Sequence, residues 1–339
     1  MIRALVTGST GGVGSNLAEA LIARGVEVVG LRRQTSPDDA VEGLPIQFVT
    51  GDILQPETLR PAFEGIDWVF HVAAIADDWK FPAETVHRVN VGGARNVMQA
   101  ALDAGVRRFV LTSSSSALGK PEYEKQLMDE TKTFNLKPDL WPYGYSKYLA
   151  NQLVPEFAGK GLPIVSVMPA AIMGPRDLKF ISGELLVRVL KRQSLPFPRG
   201  GLNWIDTRDV VAGHIAAAEK GRAGETYLLA GHNMTHQEYI QIIGDVLKVK
   251  PNFLRIPRMV LPPFAAAVTL LHSLGMSLPV ERARVLLSGN YIWYDNSKAV
   301  NELDLTLRPF ADTVREAYEW YCDNDYFQKR GIPASWLAA

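Results

Sequence analysis

The stretch MIRALVTGSTGGVG, residues 1–14, holds the pattern that decides the fold. A short apolar run at 2–6 is followed at once by Gly8, Gly11 and Gly14. A buried strand, a tight glycine turn and the start of a helix together make up a nucleotide-binding βα unit. The stretch therefore predicts the first strand and helix of a parallel α/β sheet.

The first half of the chain continues this alternation. Further apolar runs predict buried strands at 26–31, 46–49, 68–72, 109–111 and 164–167. Helical patterns lie between the strands at 16–24, 94–104 and 146–157. Strands and helices that alternate at this spacing favour an α/β fold with a doubly wound parallel sheet, the Rossmann architecture.

Composition narrows the classes of function. The 339 residues carry 36 Lys and Arg against 36 Asp and Glu, a net charge of zero that does not favour binding to nucleic acid or to an anionic membrane. Cys322 is the only cysteine, which excludes an intrachain disulfide and favours a reducing, cytoplasmic location. The histidines have no metal-site spacing, so we expect no metal.

One apolar stretch, residues 259–271, invites a membrane interpretation. It is too short to span a bilayer, and Pro262 and Pro263 interrupt it. We expect a buried or substrate-facing helix there rather than membrane contact.

The glycine turn is the predicted site of a dinucleotide. Small residues let the backbone approach a pyrophosphate, whose charge is met by amides at the helix N-terminus. The predicted cofactor-binding residues of the turn are Gly8, Ser9, Thr10, Gly11, Gly12, Val13 and Gly14.

Residues after the next two strands bear on the identity of the cofactor. Arg32 and Arg33 stand where an acidic residue would grip a ribose 2′-hydroxyl, so they favour NADP(H) over NAD(H). The alternative is two solvated surface arginines. Asp52 and Ile53 follow the third strand and are predicted to lie near the adenine, although Asp52 is equally suited to capping its own loop.

A second constellation predicts catalysis. Tyr143 and Lys147 in YGYSK are four residues apart, so on a helix they share one face. A nearby ammonium favours the phenolate and suits tyrosine to acid–base work. Ser114, in TSSSS, follows the strand at 109–111 and is predicted to bind a substrate carbonyl.

Taken together, these motifs resemble the extended short-chain dehydrogenases/reductases, the NAD-dependent epimerase/dehydratase family. The resemblance covers nearly the whole chain and is closest to dihydroflavonol 4-reductase-like proteins and hopanoid-associated sugar epimerases. It implies that Ser114, Tyr143 and Lys147 are catalytic and that Lys147 also holds the nicotinamide ribose. It further implies cofactor-site positions at His71, Ala73, Ala74, Asn90 and Pro169, in HVAA, VNVGG and MPAAIMGPRD.

The chain also departs from parts of that family. Met168 and Leu202 replace two polar residues that nucleotide-sugar epimerases usually carry, and the NWYCY signature of cinnamoyl-CoA reductases is absent. The resemblance therefore favours an NADP(H)-dependent reductase or dehydrogenase acting on a ketone or aldehyde. The many apolar residues after Pro169 favour a hydrophobic or aromatic substrate over a sugar phosphate. A sugar epimerase or dehydratase that retains its dinucleotide and a non-catalytic NADP(H)-sensing protein are the alternatives.

The expected organisation is a Rossmann domain at 1–168 that carries the NADP site and the Ser/Tyr/Lys set. Residues 169–339 are expected to form mainly a substrate-binding lobe, with some segments returning to the core. Residues 178–197 and 259–278 are expected to cover the substrate, Asp77, Asp78 and Trp79 to touch it, and Arg176 and Asp177 to close the pocket or pair with each other. The family resemblance also implies a homodimer through the helices at 94–104 and 146–157.

Overall fold

The computed structural model describes residues 1–76, 80–276, 282–333 and 336. Its strands are β1 (Arg3–Thr7), β2 (Glu27–Arg32), β3 (Gln47–Thr50), β4 (Trp68–His71), β5 (Arg108–Thr112), β6 (Leu127–Met128), β7 (Ile164–Pro169), β8 (Ala171–Met173), β9 (Ser194–Phe197), β10 (Gly201–Asp206), β11 (Thr226–Leu229), β12 (His232–Thr235), β13 (Asn252–Arg255) and β14 (Tyr291–Tyr294). Its α-helices are α1 (Gly12–Ala23), α2 (Ala83–His87), α3 (Ala94–Ala104), α4 (Pro142–Gly159), α5 (Gly183–Leu190), α6 (Thr207–Lys220), α7 (His236–Val246), α8 (Leu261–Ser273), α9 (Arg282–Leu287), α10 (Ser297–Leu303), α11 (Phe310–Asp323) and α12 (Tyr326–Lys329).

The central feature is a seven-stranded parallel sheet in the order β11-β7-β5-β4-β1-β2-β3. Order 3-2-1-4 around the first strand is that of a doubly wound sheet. The predicted α/β fold class is confirmed. All six predicted strands are present, with ends that differ by one or two residues from the predicted ones.

Helices cover both faces of this sheet. Because side chains alternate along a strand, Ala4 and Val6 of β1 pack with α1 and α6, whereas Leu5 packs on the opposite face with α3 and α4. Strands that are covered on both sides are apolar throughout, and this explains the unbroken apolar runs in the sequence.

The helix that carries YGYSK begins earlier than the sequence pattern predicts. It starts at Pro142 rather than Ser146, with proline in its first turn, where a missing backbone N–H costs nothing. Tyr143 therefore lies inside the helix, one turn before Lys147, which supports the shared face expected for this pair.

The segments after residue 169 build a smaller layer beside the main sheet. β10 pairs antiparallel with β12 and parallel with β8 and β14, and β14 continues to β6. Aromatic residues fill this part of the core, with Trp204, Tyr239 and Tyr321 buried. β11 crosses back to the edge of the main sheet beside β7. The boundary at residues 168 and 169 stays a prediction.

The apolar stretch at 259–271 forms most of α8, but it is not a buried helix. Leu261, Ala265 and Val268 are buried, whereas Phe264 and Leu270 are more than half exposed. The expectation of burial is wrong for this outer face, because an apolar run has the same composition whether or not the fold covers it. Over the described ranges, no helix combines the length and hydrophobicity needed to cross a membrane.

Candidate active site

The glycine turn between β1 and α1 lies against the loop that follows β4. Gly8 has φ +71°, and a Cβ built there would lie 2.7 Å from the backbone nitrogen of Ala73. A Cβ at Gly14 would lie 2.1 Å from the carbonyl oxygen of Gly8. Glycine is required at both positions, and this close approach brings residues 71–74 beside the turn.

The N-terminus of α1 leaves its amide groups available. Gly11 is the N-cap, and within the described residues no side chain caps the helix and its first turn holds no acidic residue. The buried hydroxyl of Ser9 has no hydrogen-bond partner in the described part of the chain. Unpaired donors and a glycine cradle fit a ligand that brings phosphate oxygens to this turn. Thr10, Gly12 and Val13 are half-buried around it.

His71, at the end of β4, is buried and hydrogen-bonded to Thr7. Its Nδ1 lies 2.8 Å from Thr7 Oγ1, and the backbone N–H of Ala73 donates to the same oxygen at 3.2 Å. Burial, with a smaller effect from the Lys147 charge, lowers the pKa of His71 to about 3. The imidazole is therefore neutral at physiological pH and joins the two loops as a structural group. Ala74 follows, half-buried, in the same loop.

Arg32 and Arg33 lie at the end of β2, beside the glycine turn in the sheet. Arg32 Nη1 forms an ion pair with Asp38 Oδ2 at 3.0 Å, and its guanidinium carbon lies 4.1 Å from the centre of the Phe48 ring. Arg33 is exposed, and its side chain has no ion-pair partner in the described ranges. Arg32 is thus oriented by two contacts, while Arg33 is free to reorient.

Asp52 and Ile53 follow β3, as predicted. One carboxylate oxygen of Asp52 accepts from the backbone N–H of Leu54 at 2.9 Å, so this oxygen caps its own loop. The carbonyl of Ile53 accepts from Asn96 Nδ2 at 2.8 Å, and its side chain occupies the space left by Gly93. The structure therefore gives Asp52 a capping contact and leaves a role toward adenine as a proposal.

Asn90 joins the loop after β4 to α4. Its Oδ1 accepts from the backbone N–H of Ile75 at 2.8 Å, and its Nδ2 donates to the Ile75 carbonyl at 3.0 Å and to Ser146 Oγ at 2.9 Å. Asn90 is buried and sits in a short π-helical segment, Arg88–Gly93. These three hydrogen bonds of the Asn90 amide hold the two elements together.

Ser114 follows β5 and begins a 3₁₀ turn, Ser115–Leu118. Its Oγ accepts from the backbone N–H of Ser116 at 3.2 Å, and its side chain is nearly buried. Helix α4 packs on this turn, and a Cβ at Gly144 would lie 3.0 Å from the Ser116 carbonyl oxygen. Gly144 permits this close packing, which brings the first turn of α4, with Tyr143, next to the Ser114 turn. Tyr143 itself is half-buried.

Lys147 is buried and held by the end of β5. Its Nζ donates to the carbonyl of Thr112 at 2.9 Å, and burial lowers its pKa to about 8. Thr112 Oγ1 lies 2.9 Å from Nε2 of His214, whose Nδ1 bonds the Val210 carbonyl at 2.7 Å. Since the Nδ1 contact is to a carbonyl, Nδ1 carries the proton and Nε2 accepts from Thr112. Burial lowers the pKa of His214 to about 4.

The loop after β8 rests on α1. The Pro175 carbonyl accepts from Asn16 Nδ2 at 3.1 Å, and a Cβ at Gly12 would lie 3.2 Å from the Arg176 carbonyl oxygen. Arg176 forms a bidentate ion pair with Glu19. Asp177 instead accepts from the backbone N–H groups of Ser182 and Gly183 at the start of α5. The alternative in which Arg176 and Asp177 pair with each other is therefore wrong. Pro169, at the end of β7, is buried.

Some predicted contacts fall outside the described residues. These are Asp77, Asp78 and Trp79, and positions 277 and 278 of the segment expected to cover the substrate. Across the described ranges, no group of His, Cys, Asp and Glu side chains has the arrangement of a metal site.

Sequence reasoning missed four residues that shape the site: Thr7, Asp38, Thr112 and His214. Thr7 and Thr112 are the last residues of their strands, so a polar residue at the end of a buried strand was an available signal. Asp38 and His214 gave no local signal, because their contacts with Arg32 and Thr112 depend on how distant segments pack.

The sequence and the fold of this chain are similar to those of known proteins. Residues 4–230 match the model of the NAD dependent epimerase/dehydratase family. A Synechocystis protein provisionally named dihydroflavonol 4-reductase is 35% identical over 95% of each chain. Sterol demethylase protein B of Methylococcus capsulatus is 34% identical over 97% of this chain and 99% of its own. Other relatives carry the names of reductases and dehydrogenases. The crystal structure of gox2253 superposes with a TM-score of 0.83 at 33% identity, covering 96% of this chain and 99% of that one.

Proposed function

The chain belongs to the NAD dependent epimerase/dehydratase family, within the extended short-chain dehydrogenases/reductases, and on that premise we propose that it is an NADP(H)-dependent carbonyl reductase or alcohol dehydrogenase. Membership implies the use of a nicotinamide dinucleotide, and relatives named as reductases and dehydrogenases support an oxidoreductase. One observation carries the proposal: α4, which bears Tyr143 and Lys147, packs on the turn that begins at Ser114, at the end of β5.

The chain offers a coherent set of groups for the dinucleotide. The cradle of Gly8, Gly11 and Gly12 at the open N-terminus of α1 suits the pyrophosphate, and residues 71–74 border it. When bound, the nicotinamide ring supplies or accepts a hydride. The preference for NADP(H) rests on Arg32 and Arg33, since a guanidinium forms charge-assisted hydrogen bonds with phosphate. Arg32 uses one of its nitrogens on Asp38, which leaves further donors for a 2′-phosphate.

Ser114, Tyr143 and Lys147 divide the proton chemistry. The Ser114 oxygen already accepts a backbone hydrogen bond, so its own O–H is left to donate to the substrate carbonyl. Tyr143 gives its phenolic proton to that oxygen in reduction and takes a proton back in oxidation. Lys147, fixed by Thr112, places a positive charge one helical turn from Tyr143 and favours the phenolate.

The proposed substrate is a hydrophobic or aromatic ketone or aldehyde. Helix α5 in the second half of the chain is rich in apolar residues, which suit such a molecule better than a sugar phosphate. The polar residues that nucleotide-sugar epimerases use are replaced by Met168 and Leu202, which supports the same substrate class. The names of the two relatives, which refer to a dihydroflavonol and a sterol, are compatible with it.

The test separates reduction from epimerisation. A reductase exchanges its cofactor in every cycle, so NADPH loss should equal product formed over many turnovers with apolar ketones and aldehydes. Measuring both quantities on the purified protein decides the question. Product formation without net loss of NADPH would overturn the reductase proposal in favour of an epimerase, and saturable NADPH binding without turnover of any carbonyl would favour a sensing protein.

Two further expectations belong to this proposal. We place the enzyme in the cytoplasm, because its one cysteine, Cys322, is free. We also propose a homodimer through α3 and α4, which lie side by side and are joined within one chain by the Arg95–Glu156 ion pair. Light scattering of the purified protein tests the dimer directly.

A further inference from the structure

Helix α8 presents an apolar surface to solvent. Met259 and Val260 just before the helix, Phe264 and Leu270 within it, and Leu274 and Met276 just after it are exposed. Apart from Val260, each of these side chains is between 51% and 80% exposed. Scattered apolar residues are normal on a protein surface, but six within 18 residues of chain make a concentrated apolar patch that calls for a partner.

Among the described residues, the buried side chains of this helix form a narrow stripe. Leu261 and Ala265 pack with Val285 of α9, and Val268 is buried on the same side of the helix. The three positions on α8 are three or four residues apart and form one side of the helix. The opposite side carries Pro263, Ala266, Ala267, Leu270 and Leu274, all exposed and apolar, with Phe264 at one edge and the uncharged Thr269 and Ser273 as exposed polar residues. A helix at an ordinary protein surface has charged residues on that side, and this one has none.

The segment that carries the patch, residues 246–280, has basic side chains and no acidic ones. Between Asp245 and Glu281 there is no acidic residue, whereas Lys248, Lys250, Arg255 and Arg258 are all present and exposed. Leu254, between two of these positions, is also more than half exposed. The zero net charge of the whole chain hides this local excess of positive charge. Exposed apolar side chains beside Lys and Arg are the combination by which a helix binds to the surface of an anionic bilayer.

We propose that α8 and its flanking residues 254–276 dock the protein on an anionic membrane surface, with the helix lying in the plane of the interface. The 13 residues of α8 reach only about 20 Å, and a bilayer core is about 30 Å thick, so the helix lies on the membrane and does not span it. Phe264 and Leu270 enter the boundary of the acyl chains, and Arg255 and Arg258 meet lipid phosphates.

Charge favours a membrane over a second copy of the chain. A symmetric dimer through this patch would set the same surface against itself, so the basic residues at its rim would face one another with no acidic residue between them. An anionic bilayer supplies the missing negative charge. The proposal does not depend on the reaction catalysed. Membrane docking would add to the proposed function, because it would hold the enzyme where apolar substrates dissolve.

The test is sedimentation of the full chain with lipid vesicles. Wild-type protein should pellet with phosphatidylcholine vesicles that contain phosphatidylglycerol, less with phosphatidylcholine alone, and less at high salt, since salt screens charge. Phe264→Glu and Leu270→Glu should each lower binding by about tenfold or more, because a carboxylate replaces an inserted apolar group. Arg255→Glu should weaken binding to the anionic vesicles by about tenfold.

Val300→Glu is the matched control, since Val300 is an exposed apolar residue on α10. It should leave vesicle binding unchanged. Urea unfolding checks that every variant is folded, and Phe264→Ser with Leu270→Ser replaces any glutamate variant that is not. The proposal is overturned if wild-type protein stays in the supernatant with anionic vesicles at low salt, or if Phe264→Glu and Val300→Glu bind equally well. A dimer that Phe264→Glu dissociates, without any vesicle binding, would also overturn it and assign the face to a second copy.

Discussion

The carboxyl ends of β2 and β5 each hold one positive charge of the proposed site, Arg32 at β2 and Lys147 of α4 at β5, and they hold it in different ways. At β5, Lys147 is buried and bonded to a backbone carbonyl, and His214 supports the threonine that supplies it. At β2, Arg32 is held by the exposed carboxylate of Asp38 and by the face of Phe48. A buried backbone contact fixes geometry, whereas an exposed ion pair is screened and can be exchanged for another anion. We therefore expect changes near β5 to act on chemistry and stability, and changes near β2 to act on cofactor choice.

The largest expected effect is on turnover. Tyr143→Phe keeps the aromatic ring and removes the transferable proton, so turnover should fall by about 10² to 10⁴ with NADPH affinity nearly unchanged. Steady-state rates on a confirmed carbonyl substrate, with NADPH titration in parallel, measure the two effects. Trp141→Phe, which changes an aromatic residue at the start of the same helix, serves as the control. Full activity in the Tyr143→Phe protein would remove tyrosine from the proposed chemistry.

The second effect is on stability in acid. Burial lowers the pKa of His71 to about 3 and that of His214 to about 4, against 6.5 for an unhindered histidine. Between pH 6.5 and 4 the unfolded chain therefore binds protons that the folded chain does not, so stability falls as the pH falls through this window. Each histidine contributes a slope of up to about 1.4 kcal/mol per pH unit.

The variant His214→Gln isolates one of these two contributions. Its free energy of unfolding, measured in urea at several pH values, should depend less steeply on pH than that of wild type. Thr112→Val is the matched control, because it removes the hydrogen bond to the ring but keeps the titrating group. It should lower stability at every pH with the slope retained. Equal slopes in His214→Gln and wild type would show that His214 does not remain neutral in the folded protein.

The third effect is on cofactor preference and tests Arg32 at the end of β2. Arg32→Ala should weaken NADPH binding by about ten- to a hundredfold, the equivalent of one charge-assisted hydrogen bond, and change NADH binding little. Arg32→Asp should reverse the preference, because aspartate repels the phosphate and accepts from a ribose hydroxyl. Titration of each protein with both reduced cofactors at fixed salt gives the ratio. Wild-type affinity for NADH equal to or above that for NADPH would reduce both arginines to surface residues.

The smallest effect concerns Asp38, which we expect to compete with a 2′-phosphate for Arg32 because the two are paired in the structure. Asp38→Asn should raise NADPH affinity about two- to fivefold, the range of an exposed ion pair, and the gain should shrink at high salt. Asp39→Asn, one residue further along, is the control for a general loss of negative charge. A fall in NADPH affinity in Asp38→Asn would mean that the ion pair positions Arg32 for the phosphate and does not compete with it.

The sequence predicts the sheet and the location of the site for a definite physical reason. Strands buried on both faces must be apolar throughout, so they stand out in the sequence, and parallel strands bring their carboxyl ends to one edge. Residues just after a strand, such as Gly8 and Ser114, can therefore be assigned to that edge without a structure.

The contacts that cannot be predicted from the sequence depend on tertiary packing. His214 lies on α6, far along the chain from Thr112, and no spacing links the two. The surroundings of Phe264 are equally hidden, because an apolar residue at a helical spacing predicts a core contact whether or not another element arrives to cover it. Both become visible only when the whole chain is packed.

The loop at 174–177 connects the two halves of the protein and limits how their sequences can be exchanged between relatives. Although it belongs to the second half, it bonds Asn16 and leaves no room for a methyl group at Gly12 without a shift of its backbone. A chimera that takes residues 1–168 from this enzyme and the remainder from a relative would set the relative's loop against α1. Exchange of substrate specificity between relatives therefore requires that this loop stay with its own glycine turn, with the crossover placed beyond Asp177.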